Sequence, residues 1–182
     1  MRKRLALVLS AAAVSGSMVM LAAPADAGQG VTFSLTAGLL TISDPANKAL
    51  GSVSTGTASL TNTLGAVSVT DNRGALNGTW TATVASTDFT TGAAATEETI
   101  AKAQVDYWSG AATSFTGTAV LVPGQLLVVN KQALSASRTA YSATAVIGNN
   151  TASWTPTVVV NVPAQAVAGT YSGTITHSVT GT

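Results

Sequence analysis

Candidate chemistry in this sequence starts from a single imidazole. His177 is the only histidine among 182 residues, and there is no cysteine. A transition-metal centre wants several nitrogen or sulfur ligands, so the residue inventory argues against one. Asp71 and Asn72 can donate oxygen, but no EF-hand-like spacing surrounds them, and a plain turn accounts for both. For a Ser–His–Asp triad His177 is the one imidazole on offer, and nothing in the sequence marks a nucleophile elbow to present a serine to it. Glu97 and Glu98 are adjacent in a polar loop and point apart in an extended chain, so they do not form a glycosidase pair; solvated loop charges explain them. No cofactor is implied, and we expect a protein that is not an enzyme.

The three tryptophans are the residues best able to hold a ligand. Trp80 and Trp154 fall on faces expected to point inward, and core packing is the first account of both. Trp108 falls opposite Val105 and Tyr107, an expected outward position from which an indole can stack on a sugar ring or cap a sheet edge. The Asn77-Gly78-Thr79 and Asn149-Asn150-Thr151 triplets match the glycosylation pattern, but Gly/Asn turn chemistry explains them without glycans.

The elements that must carry these residues read as strands. Arg2, Lys3 and Arg4 precede an apolar run to about Ala23 and a small-residue cleavage pattern through Ala27. That order is a secretory signal peptide over residues 1–27, with the mature chain from about Gly28. Without Arg2, Lys3, Arg4 and Asp26, the eight basic and seven acidic residues become five and six, a net charge of −1. Nucleic acid is therefore not an expected partner. No second segment of membrane-spanning length and no hydrophobic tail follow, so we expect no membrane contact after cleavage, and surface attachment that is non-covalent. A chain of about 155 residues can hold one core without disulfides.

Period-2 alternation recurs through residues 28–182 and predicts one all-β domain, a single β-sandwich of short, mainly antiparallel strands. Strands are expected at 31–35, 40–42, 57–61 and 66–70, with turns at Asp71–Gly74 and Asn77-Gly78. Further strands are expected at 79–85, 115–122, 126–130, 139–147, 152–162 and 170–180. Ile100 to Trp108 reads as a strand, with a short helix as the alternative. Pro156 inside the 152–162 run predicts a sheet edge or bulge. Trp80, Trp154, Tyr171 and Ile175 are expected to be mostly buried, and His177, on an apolar face, in a core or groove and partly exposed.

Two segments resemble a known family. One runs from Val67 through Gly74 to Gly78, Thr79, Trp80 and on to Val84, Asp88 and Phe89. The other runs from Val162-Pro163 through Gly169, Thr170 and Tyr171 to Ile175, His177 and Val179. Together they resemble the WxL-domain surface proteins of Gram-positive bacteria. That resemblance implies a secreted, β-rich domain held non-covalently at the cell wall through peptidoglycan, with two Trp-x-Leu motifs as its sites. Here the first motif is Trp80 followed by Ala82 instead of Leu; in the second, His177 stands at the Trp position and Val179 at the Leu position. The expected location is extracellular and wall-associated, and the expected partners are wall polymer or other surface proteins. The alternative is a subunit of a surface assembly that self-associates through strand edges such as 31–35 and 170–180.

Overall fold

The structure, a computed structural model, describes residues 30–182. The leader expected over residues 1–27 lies outside them. Separate from the unit to which residues 30–35 belong, residues Thr36–Thr182 form one compact unit of the chain. It is all-β, with strands β1 (Leu40–Ser43), β2 (Ser59–Thr63), β3 (Val67–Ser86), β4 (Phe89–Thr90), β5 (Thr99–Ile100), β6 (Val105–Trp108), β7 (Ala112–Pro123), β8 (Gln132–Ala133), β9 (Arg138–Trp154), β10 (Thr157–Asn161) and β11 (Ile175–Gly181). Three short 3₁₀ turns, Thr96–Glu98, Lys102–Gln104 and Val128–Asn130, are its helical segments.

Two antiparallel sheets face each other. The larger has the order β1-β3-β9-β7, and β11 pairs with the second half of β3 along the edge whose first half β1 occupies. The smaller has the order β2-β10-β6-β8. A hairpin of β4 and β5 lies outside both. Inward residues of both sheets make one core: Val67, Trp80 and Val84 from β3, Tyr141 and Trp154 from β9, Tyr107 from β6 and Val158 from β10. This is the two-layer solution that one-sided apolar strands require.

The strands are not all short. β3 is 20 residues long and β9 is 17. The turns expected at Asp71–Gly74 and Asn77-Gly78 are bulges inside β3, where pairing with β9 shifts between Asp71 and Ala75, Leu76 and Gly78, and Gly78 and Trp80. Gly74 and Asn77 have φ of 64° and 62°. Bulges and tight turns want the same left-handed residues, so local chemistry does not separate them. The bulges matter to the core. Buried residues of β3 are odd-numbered from Val67 to Asp71 and even-numbered from Trp80 to Val84, so extra residues must be absorbed between them to keep one face inward.

Other expectations need correction for a related reason. Residues 152–162 are not one strand. β9 ends at Trp154, the chain crosses at Thr155-Pro156, and β10 continues in the other sheet; Leu64 N–H, at the matching β2–β3 crossing, donates to Pro156 O at 2.9 Å. A proline, lacking a ladder donor, suits that corner. Residues 126–130 are not a strand but an irregular stretch ending in the Val128–Asn130 3₁₀ turn, with Leu126 to Val129 exposed, and residues 170–174 precede β11 irregularly, joined to Thr90 through one bridge at Ser172. Tyr171 and Ile175, expected to be mostly buried, are half-buried, with Ile175 packed against the core. Ile100 to Trp108 is neither one strand nor an α-helix: β5 and β6 flank a 3₁₀ turn. Residues 30–35 carry no regular secondary structure, and Val31, Phe33 and Leu35 are 82%, 85% and 86% exposed. Alternation makes a strand only where a ladder and a covered face exist, and no ladder pairs this segment.

Candidate functional site

The motif positions singled out in the sequence, Trp80 on β3 and His177 and Val179 on β11, lie on neighbouring strands. In the β3–β11 ladder, Gly181 faces Trp80, Val179 faces Ala82 and His177 faces Val84. Directly opposed residues share a side of the sheet, so Trp80, Val179 and His177 all point inward. Trp80 is 1% exposed; His177, expected to be partly exposed, is 8% exposed; Val179 is half-buried against the core. Trp108, expected to be exposed, is half-buried on β6, opposite Thr157. None of these four is a free platform for a ligand.

Their buried polar atoms are satisfied within the protein. Trp80 Nε1–H donates to Asn150 Oδ1 at 3.1 Å, linking β3 to β9. At the first bulge the buried Asp71 carboxylate accepts from Arg73 N, Nε and Nη2 at 3.1, 2.9 and 2.9 Å, while Nη2 also reaches Thr79 O at 2.9 Å. The Arg73 hydrogen bonds hold the Asp71 carboxyl below the ordinary carboxylate range, against the opposing effect of burial. The Asp71–Asn72 turn read as a weak calcium candidate is thus an Arg-clamped bulge.

A second chain of bonds crosses between the sheets. Trp154 Nε1 lies 3.3 Å from Tyr107 Oη, Tyr107 Oη 3.2 Å from His177 Nε2, and His177 Nδ1 3.2 Å from Asp44 Oδ2. One proton assignment satisfies every atom: the indole donates to the phenol, the phenol to Nε2, and Nδ1–H to the carboxylate. His177 is then neutral. Burial lowers its pKa from the ordinary 6.5, and the Asp44 carboxylate opposes that effect only in part. Both ring nitrogens are engaged, so the imidazole has no lone pair left for a substrate proton. Burial also pushes the Tyr107 phenol upward.

This predicts the pH dependence of stability. Above about pH 6.5 His177 is neutral in both folded and unfolded chains, and its contribution is complete. Below that value the unfolded chain takes up the proton first, so stability falls until the folded-state pKa is reached. Denaturant melts of the mature chain should show this loss, and His177→Gln should remove the slope in that window. No other side chain has an ordinary pKa there. Asp71 acts separately, its stabilisation being lost only below about pH 3.8.

Beside His177 lies a cleft of about 920 Å³, bounded by the Asp44–Thr55 loop, β10 and the Ala166–Thr174 segment. Its walls are largely apolar and include Leu60, Leu64, Phe89, Val160 and Ile175. The volume lies within the ~300–1,000 Å³ typical of ligand pockets. Glu98, elsewhere, organises its own loop: its Oε2 accepts from Ala93 N and Ala95 N at 2.9 and 3.1 Å. Among the described residues no group of three His, Asp or Glu is gathered to hold a metal ion, and no helix is long and apolar enough to cross a membrane.

Sequence reasoning missed Asp44, Tyr107 and Asn150, the partners that decide what His177 and Trp80 do. Asp44 is 133 residues from His177, and Tyr107 and Asn150 are each 70 residues from their partners. No local pattern carries that information. Compared with family models, curated proteins and solved structures, the chain matches none of them.

Proposed function

We propose that this chain is a secreted, non-enzymatic protein of the bacterial cell surface, associating non-covalently with wall polymer through the outward face of the β3–β11 pair. The observation that supports this reading is the pairing of the two family-like segments with their Trp80, His177 and Val179 side chains turned inward. A polymer lying on these strands meets only their alternate residues. In register these are Thr180, Thr81 and Ser142 in one row and Ser178, Thr83 and Thr139 in the next. Such paired hydroxyl rows offer donors and acceptors at the sheet spacing of about 4.8 Å, suited to sugar hydroxyls and peptide groups. The leader-like N-terminus and the resemblance supply the compartment and the polymer class.

The test is co-sedimentation of mature protein with isolated peptidoglycan walls at low salt. Wild type should pellet. Thr81→Glu with Ser178→Glu, both on the outward face, should weaken retention about tenfold, or ~1.4 kcal/mol, at unchanged melting temperature. Wild-type protein left wholly in the supernatant would sink the proposal. A second reading, a subunit of a surface assembly joined through strand edges, is favoured by the exposed apolar segment ahead of β1 and by the outer edge of β2, the terminal strand of its sheet.

A further inference from the structure

The walls of the cleft beside His177 are bonded in place. On one side the Asp44–Thr55 loop is pinned to β2, where Asn62 Nδ2 donates to Leu50 O at 2.9 Å, and to β11, where Asp44 meets His177. On the other side Val167 N–H donates to Glu97 O at 3.1 Å, and Ser172 and Thr90 exchange backbone bonds at 2.9 and 3.0 Å. Between these walls Leu50, Leu64, Phe89 and Ile175 pack against the core yet stay half-buried. A preformed apolar space that meets a few polar groups is the usual form of a small-molecule site.

We infer that this cleft binds an aliphatic primary amine, with the alkyl tail on the apolar lining and the ammonium on the Asp44 carboxylate. The lining includes none of the outward residues Thr81, Thr83, Ser178 and Thr180, so the site does not rest on polymer binding at that face.

Charge sets the head group. The Asp44 side chain lines the cleft and is 42% exposed, and its Oδ2 accepts from His177 Nδ1–H at 3.2 Å. The imidazole is neutral, because Tyr107 Oη–H fills Nε2, so it orients the carboxylate without cancelling its charge. Among the described residues no lysine or arginine forms an ion pair with Asp44: Arg73 is held by Asp71 and Lys131 by Asp106. Lys48, the other charged side chain of the lining, is exposed. Asp44 thus keeps its full negative charge beside apolar walls, with Oδ1 open to a further donor. A cationic N–H donor is the partner that offsets the cost of drying such a group.

Other ligand classes fit the lining less well. A sugar stacks on a free aromatic face. Here Phe89 is packed against the core, and the Tyr171 hydroxyl lies 3.0 Å from Val167 O and 3.1 Å from Glu97 O, its proton committed to the protein's own backbone. A carboxylate or phosphate head would meet the like charge of Asp44, with the exposed Lys48 alone to offset it. An alkyl tail, in contrast, asks only for apolar contact, which Leu60, Leu64, Val160 and Ile175 supply.

The test is isothermal titration of the full mature chain at neutral pH, without wall material, using octylamine, octanol and octanoate below their micellar ranges. Octylamine should bind saturably, at least about tenfold more tightly than octanoate. Butylamine, with half the tail, should bind at least about tenfold more weakly than octylamine. Asp44→Asn keeps an acceptor for His177 Nδ1–H and removes the charge. It should melt close to wild type and hold octylamine no more tightly than octanol. Thr81→Glu with Ser178→Glu should bind octylamine as wild type does, so a failure of wall binding leaves this result standing. Absence of saturable octylamine binding to wild type would overturn the proposal. So would tighter binding of octanoate, which would make Lys48 the partner of the head group, or an octylamine affinity unchanged in Asp44→Asn.

Discussion

Replacing Trp80 with Ala should cost the domain about 3–5 kcal/mol, the usual range for truncating a buried aromatic side chain. For a domain of this size that corresponds to a melting temperature lower by about 6–20 °C. The indole is 1% exposed, among the inward residues of β3 and β9, and its Nε1 is bonded to Asn150 Oδ1. Truncation therefore opens a cavity and strips a buried amide of its donor. Trp80→Phe separates these contributions: it keeps most of the ring and removes the N–H, for about 1–3 kcal/mol. Because Trp80 does not reach the surface, retention on walls, measured at a temperature where the variant remains folded, should equal that of wild type. A Trp80→Ala protein that melts like wild type but no longer pellets would show that the indole contacts the polymer after all.

Tyr107→Phe should be the most costly isosteric change in the molecule. It leaves no cavity, yet it orphans two buried groups at once, Trp154 Nε1 and His177 Nε2. Each unpaired group costs about 1–3 kcal/mol. The effect should be non-additive with His177→Phe, since the two residues share one bond; a double-mutant cycle should return a coupling of about 0.5–3 kcal/mol. Coupling near zero would mean that the phenol and imidazole are neighbours without an energetic bond. The Asp44 end should matter less, because its side chain is 42% exposed and solvent screens the pair.

Trp80 and His177 show how far sequence periodicity reaches. Alternation placed both on apolar faces, and the structure puts both faces inward. Alternation did not predict that His177 would be buried so fully, because burial depends on what lies opposite. The Asp44–Thr55 loop, which flanks the cleft beside His177, has no period of its own. Likewise the residues of the Asp71–Gly78 stretch signalled positive φ correctly, and Gly74 and Asn77 adopt it. Whether such a residue reverses the chain or bulges a continuing strand depends on whether β9 runs alongside to pair both halves.

The sequence by itself determined that this is an all-β protein with two one-sided faces. Side-chain direction alternates along a strand for steric reasons that need no partner, so alternation of Val, Trp and Ala with Thr and Ser dictates a sheet covered on one side. Tertiary structure alone decided the rest. Strand pairing is non-local: it joined His177 to Val84, Trp80 to Asn150 and Asp44 to His177 across distances no local pattern records. It also decided which edges were left over. An edge is defined by the strand that is not beside it, and for β2 and β11 that is a property of the assembled sheets, not of either stretch of residues.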